Sequence, residues 1–293
     1  MRWLAIAGYA LAALLLFVIF VFLTLPTEAI GRRLVRQAEL ATGLRIHTVA
    51  VERLYPLGLR WQGVSIDQPG GESGGQREWV HFSSVSVEPV LPSLLSRRKV
   101  VRIEAKRADG VIEGTVELGQ APSDKKGPQW RVDLTRVEGV DLAMLQPLLS
   151  GVKALSGRLS GKFSYEWTAQ EPLYGTGTLF VDVKQLAMSG AFLKMAPVEE
   201  IRFDQAACGV SLAAGRATIS NCSGRGPLGQ IGVSGTAQLR MPASQSVLSL
   251  RVELKWQGLS TGAGPLVATV SGPVGSPDVA MEGGLTLGGS GGG

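Results

Sequence analysis

The chain has 293 residues, 39 of them glycine, and only 18% are charged, against an ordinary usage of ~7% Gly and about 25% charged residues. A hydrophobic content of 45% with 6 Trp excludes a disordered chain, and the lack of a Gly-x-x period excludes collagen. Two His and two Cys leave little for a metal cluster or a disulfide framework, and a dispersed net charge of +5 does not by itself argue for nucleic acid.

Trp3 to Leu25 is a run of 23 residues without a charge. At ~1.5 Å rise per residue it would form a helix about 35 Å long, enough to cross a ~30 Å hydrocarbon core. A cleaved signal peptide has a shorter apolar region, ~7–15 residues, and Thr27-Glu28-Ala29 beside Pro26 is a poor cleavage site. Residues 1–25 therefore read as a cytoplasmic tip and an uncleaved transmembrane anchor. Arg32, Arg33 and Arg36 outnumber Arg2, which by charge count would hold the bulk of the chain in the cytoplasm. Long domains translocate largely regardless of such charges, and the β-rich character of the rest of the chain favours the periplasm.

Residues 26–43 change pattern. Ile30, Leu34, Ala38 and Ala41 recur at helical spacing between Arg32, Arg33, Arg36 and Glu39, and Gly43 is a stop signal. This amphipathic juxtamembrane helix has two uses. It packs its Ile30/Leu34 stripe on the folded domain, or it lies on anionic headgroups.

From residue 44 to 282 the chain reads almost wholly as strand. Leu159, Gly161, Phe163, Tyr165 and Trp167 alternate with Arg158, Ser160, Lys162, Ser164 and Glu166. Ile231, Val233, Gly235, Ala237 and Leu239 do the same over 230–240, as do Leu248, Leu250, Val252, Leu254 and Trp256 over 247–257, and Trp130, Val132 and Leu134 over 129–136. Sustained period-two alternation means antiparallel strands with one apolar and one wet face. Further strands are expected at 44–51, 57–66, 79–88, 100–107, 111–118, 176–186, 200–212, 216–222 and 265–282. Helices are scarce: Pro89–Ser96, Asp141–Ser150 with Asp141 as N-cap, and a turn near Ala191–Met195. The polar loop 119–128 is a candidate lobe boundary, although strands can pair across it. Residues 283–293 form a Gly-rich tail expected to be disordered.

The fold class is thus mainly β: an N-terminal transmembrane helix, then a curved, predominantly antiparallel sheet with a few short helices. So many apolar strand faces and so few helices raise the question of cover, because soluble monomers avoid large exposed apolar patches. The sheet closes on itself as a sandwich or barrel, or it stays open as a half-barrel or groove for an apolar ligand or partner. Glycine inside strands suits strong bending.

No catalytic motif survives inspection. Gly224-Arg225-Gly226-Pro227-Leu228-Gly229 has the letters of a dinucleotide fingerprint, but a Pro interrupts it and a strand follows where a helix is needed, so it reads as a turn. Ser150–Lys153 and Ser123–Lys126 fit S-x-x-K without its companion motifs. His47 and His81 lack a second ligand at metal spacing, and Glu199 and Glu200 would point to opposite faces of a strand. The chain is expected to be no enzyme, with no cofactor and no metal. Cys208 and Cys222 flank a turn at Ala213–Gly215. A disulfide is open to them in an oxidising compartment, but Cys222 is out of phase with Ile219 on the partner strand, so bonding needs a bulge. The densest basic patch, Arg97, Arg98, Lys99, Arg102, Lys106 and Arg107, reads as a solvated turn or a contact for lipid headgroups or an acidic partner.

Taken in order, these segments resemble a family. The anchor leads through Leu25-Pro26 to Ala41-Thr42-Gly43-Leu44-Arg45-Ile46 and then to Tyr55-Pro56-Leu57-Gly58-Leu59-Arg60-Trp61-Gln62-Gly63-Val64. With the stretch Val85–Gly119, Gly139-Val140-Asp141-Leu142 and Leu155-Ser156-Gly157-Arg158-Leu159, it resembles protein N of the type II secretion system. The closing Val270-Ser271-Gly272-Pro273-Val274-Gly275-Ser276-Pro277-Asp278 is similar to the wider AsmA-like group of envelope proteins. The resemblance implies a single-pass inner-membrane protein with a β-rich periplasmic region, serving export of folded proteins alongside other type II secretion proteins. The alternative it implies is lipid handling, with phospholipid chains shielded on an apolar groove. Alternation assigns to such a groove Leu159, Phe163, Ile231, Val233, Leu250 and Leu254. The expected partners are therefore the bilayer, secretion proteins or bound phospholipid, and no nucleic acid.

Overall fold

The computed structural model describes residues 26–42, 44–55, 57–67, 78–120, 127–148, 152–190, 200–227, 229–240, 245–256, 266–274 and 278–282. The expected anchor at 1–25, the turn expected at Ala191–Met195 and the Gly-rich tail lie outside them. The described chain is mainly β, with fifteen strands, all paired antiparallel, and few helices. It divides into two compact units, Met1–Pro89 and Val90–Gly293.

In the first unit, helix α1 (Thr27–Thr42) precedes strands β1 (Ile46–His47), β2 (Ala50–Leu54), β3 (Gly58–Asp67) and β4 (Glu78–Pro89). β3 is central, pairing with β1 and β2 along one side and β4 along the other. Trp61 and Val64, which a two-residue period puts on opposite faces, are both buried, and Gly63 between them sits at φ 55°, a backbone conformation that favours glycine. The helix approaches the sheet through its own glycine: a Cβ on Gly31 would lie 2.6 Å from Val51 Cγ1 and 3.3 Å from Trp61 Nε1. Ile30 and Leu34, expected to supply the packing stripe, are instead exposed, at 37% and 43%. A bare glycine brings the helix closest, so the contact centres on Gly31, and the flank one residue round the helix is turned outward. The Glu39 carboxylate accepts from the Ile46 backbone N–H at 2.9 Å and ties the helix end to β1.

The second unit is a meander. Its strands are β5 (Lys99–Lys106), β6 (Val111–Gln120), β7 (Pro128–Asp141), β8 (Val152–Thr168), β9 (Glu171–Gly190) and β10 (Ile201–Ala213), then β11 (Arg216–Gly226), β12 (Gly229–Gln238), β13 (Val247–Trp256), β14 (Leu266–Pro273) and β15 (Asp278–Glu282). Each pairs with the next in chain order. The polar loop around 119–128 joins β6 to β7, whose ends pair Gly119 with Gln129, and the division between compact units falls after Pro89 instead. The expected helix at Pro89–Ser96 shortens to one turn, α2 (Leu91–Leu94), and that at Asp141–Ser150 is a 3₁₀ helix, η1 (Leu142–Leu148). Asp141 still caps it, its carboxylate accepting from the Ala143 N–H at 2.9 Å.

Several strands run longer than simple alternation predicts because bulges reset their phase. In β7 the register shifts after Leu134 and again after Val137, the second beside Gly139 at φ 67°. Leu134, Val137 and Val140 therefore keep to one face at a spacing of three. Gln185, at φ 53°, does the same for β9, passing the face from Val183 to Leu186. The one cluster of buried apolar side chains among the described residues forms where η1 lies on β8: Leu142, Leu155 and Val183, with Leu159, Val181, Leu186, Met188 and Ala206 packed around them.

Candidate functional site

Following the register from strand to strand shows what the alternation builds. Ile103, Gly114, Leu134 and Phe163 stand opposite one another across β5–β8, and the row continues through Leu179, Val210 and Ile219 to Gly235, Leu250, Val270 and Val279 on β15. The row crosses all eleven strands without a polar side chain. A second row on the same face runs Val140, Leu159, Val183, Ala206, Gly224, Ile231 and Leu254. Between them lie Val233 and, opposite it, Cys222 and Val252.

All six residues assigned to a groove therefore share one face: Phe163 and Leu250 in the first row, Leu159, Ile231 and Leu254 in the second, Val233 between. They do not form one cluster. Leu159 packs into the group under η1, whereas Ile231, Val233, Leu250 and Leu254 lie four and five strands away on β12 and β13, all half-buried. Across β11–β15 the buried apolar residues with a side chain, among the described residues, are the small Ala217 and Ala237. Large aliphatic side chains there stay half open to solvent, as expected of a sheet face without a layer over it.

Aromatic rings gather at one end of the face. Trp130 and Trp167 are opposite each other and stack at 6.4 Å, and Tyr165 stacks on Trp167 at 5.4 Å and on Phe163 at 6.2 Å. The Tyr165 hydroxyl donates to the Pro172 carbonyl at 2.7 Å, so its polar tip is satisfied at the rim. Two glycines on the face mark close approach of neighbouring strands. A Cβ on Gly161 would lie 2.3 Å from the Phe180 carbonyl oxygen, and one on Gly177 2.2 Å from that of Ser164. No side chain fits there.

Cys208 and Cys222 also belong to this face. The register of β11 shifts between Ile219 and Cys222 against both β10 and β12, which is the bulge the sequence demands. Cys222 thereby comes opposite Cys208, and the two are joined as a disulfide, their Cα atoms 3.9 Å apart.

The opposite face is polar and ion-paired. Arg131 donates to Asp133 at 2.6 Å, and the Ser164 hydroxyl donates to the same carboxylate at 2.5 Å. Burial by itself would raise the Asp133 carboxyl, but the hydrogen bonds from Ser164 and Arg131 and the charge of Arg131 outweigh it and hold it below the ordinary carboxylate range. Arg136 bridges Glu113 and Glu138, and its hydrogen bond holds the Glu138 carboxyl low as well. Across β10–β12 an open depression of about 390 Å³ has a mixed lining, with Asp204, Gln205, Arg225 and Gln230 beside Ala207 and Ile231.

The remaining sequence candidates fall apart in space. His47 meets Asp67 at 3.0 Å on the edge of the first unit, and His81 is exposed on β4. Among the described residues no three acidic, His or Cys side chains gather as a metal site. Gly226 and Gly229 close the hairpin between β11 and β12, as expected of a turn. Glu200 pairs with Arg202 at 2.7 Å. Within the basic patch, Lys99 is a structural residue, its ammonium donating to the carbonyls of Leu94 and Ser96 and closing the turn after α2. Ser123–Lys126 and Ser150 lie outside the described residues. Sequence reading missed that the face extends through Val181, Val210 and Val270; the phase resets in β9 and β11 hid that continuity. Compared with known proteins, the chain matches no family model, no curated protein and no solved structure.

Proposed function

We propose that this chain is a non-enzymatic component of a type II protein secretion system, anchored in the bacterial inner membrane, with its β-rich bulk in the periplasm. The observation that carries the reading is the unbroken apolar face across eleven strands, a binding surface that lacks the clustered acids, bases and nucleophiles of a reaction centre among the described residues. We take the sheet to bend toward that face, because Gly161 and Gly177 admit neighbouring carbonyls closer than a Cβ would allow. The ordered likeness to protein N of the type II system supplies the setting. Other secretion proteins would then cover the face or extend the sheet at β15. A deletion strain tests this: extracellular levels of the secreted enzymes should fall while the outer membrane stays intact. Normal secretion with a leaky outer membrane would sink it.

A second reading, AsmA-like lipid handling, is favoured by the lining itself. Ile231, Val233, Leu250 and Leu254 present only hydrocarbon to whatever lies on them, the chemistry that shields acyl chains. Native mass spectrometry of the full-length protein in mild detergent separates the two. Co-purifying phospholipid supports lipid handling, and a lipid-free protein counts against it.

A further inference from the structure

The structure leaves α1 packed on one side only. Gly31 is buried against Val51 and Trp61, with Val35 and Ala38 half-buried beside it, whereas Ile30, Leu34 and, at 80%, Leu40 face out. Ile30 and Leu34 lie one turn apart on the same flank, and Arg33, three residues on from Ile30, stands exposed beside it, while the exposed Arg36 shares the far flank with Arg32. The acids of the helix are engaged elsewhere: Glu28 pairs with Arg32 at 2.8 Å, and Glu39 accepts from the Ile46 N–H. What α1 turns outward is therefore aliphatic and positively charged together.

We infer that this flank seats on an anionic bilayer surface, Ile30, Leu34 and Leu40 entering the headgroup boundary and Arg33 meeting lipid phosphates. The inference rests on the membrane-anchor reading. Two observations select a bilayer over a protein partner. The expected anchor ends at Leu25 and α1 begins at Thr27, so at ~3.8 Å per residue the first turn starts within about 8 Å of the end of the expected anchor. A helix with aliphatic and Arg side chains on one side is also the composition that interfacial helices use, the long Arg stems lying along the apolar surface while their charges reach the phosphates. The sheet and the bilayer then hold opposite flanks of one helix, which fixes the first unit close to the membrane.

The test uses the full-length chain in vesicles of phosphatidylcholine, alone or mixed with phosphatidylglycerol. The bonded Cys208–Cys222 pair leaves an introduced cysteine as the thiol to be labelled. Leu34→Cys and Arg32→Cys, the second on the far side of the helix, each carry a polarity-sensitive fluorophore. Quenching by a lipid-borne nitroxide should be several-fold stronger at 34 than at 32, and at 34 it should rise with phosphatidylglycerol content. Equal quenching at the two positions, or no response to phosphatidylglycerol, overturns the inference. Carbonate-resistant incorporation reports the anchor separately: a chain that incorporates but quenches equally refutes the helix seating alone, and one that fails to incorporate refutes both.

Discussion

The two ends of the apolar face in the second unit are built from the same alternation and end in different states. At β8–β10 the short helix η1 lies on the sheet, and Leu142, Leu155 and Val183 fall to between 7% and 9% exposure. At β11–β15 comparable side chains, Ile231, Val233, Leu250 and Leu254, stay half-buried. A strand buries its apolar side chains against their cross-strand neighbours only partway, and completing the burial takes a second layer. One end therefore has a hydrophobic cluster. The other is held by its hydrogen-bonded ladder and small residues, with a disulfide joining β10 to β11 at the boundary, and keeps aliphatic surface half open to solvent.

The comparison can be broken most severely at a glycine. Gly161→Val places side-chain atoms where the Phe180 carbonyl sits, and should destabilise the second unit by about 4 kcal/mol or leave it unfolded, read by urea denaturation. Cys208→Ser with Cys222→Ser removes the cross-link between β10 and β11, where the two ends meet. For a sequence separation of 14 the loss should be about 3 kcal/mol, or an equal loss under reducing conditions for the parent chain. Leu155→Ala, under η1, should cost about 2 kcal/mol, whereas Leu250→Ala at the open end should cost less than about 1 kcal/mol in the isolated protein. Comparable costs at the two positions would show that the β13 end is covered too. Leu250→Glu then sharpens the point, since it should spare the melting curve but abolish co-purification of whatever lies on the face.

The smallest effect lies on the polar face. Asp133 has a folded-state pKa below its ordinary value of 3.8, so the unfolded chain binds its proton more readily. The stability it contributes is complete above the ordinary value and is lost as pH falls through the lower, folded one. Asp133→Asn should flatten that acid limb of the stability profile and leave the apolar face untouched.

The extent of what sequence shows depends on how local each feature is. Leu159 with Phe163, Ile231 with Val233, and Leu250 with Leu254 could each be placed on one face of their own strand from period two alone, because side chains of a strand alternate whatever the strand pairs with. Gly226-Pro227 as a turn and Asp141 as a cap were equally legible, being local chemistry. The helix stripe was not. Ile30 and Leu34 have the right spacing to pack, but the closest approach went to Gly31, whose advantage exists only once Val51 and Trp61 are in place. The continuity of the face through Val181 and Val210 was hidden for the same reason, since Gln185 and the bulge before Cys222 reset the phase in answer to neighbouring strands.

The surplus of glycine and shortage of charge, the strand-rich class and the two-faced character of the sheet are legible in the amino-acid order alone, since composition and period act on each strand separately. Which strands meet, where glycines let backbones touch, how Cys222 comes opposite Cys208 and which end of the face η1 covers emerge only when the chain has folded. Those outcomes depend on contacts between residues far apart in the chain, and no local pattern encodes how closely two distant backbones approach.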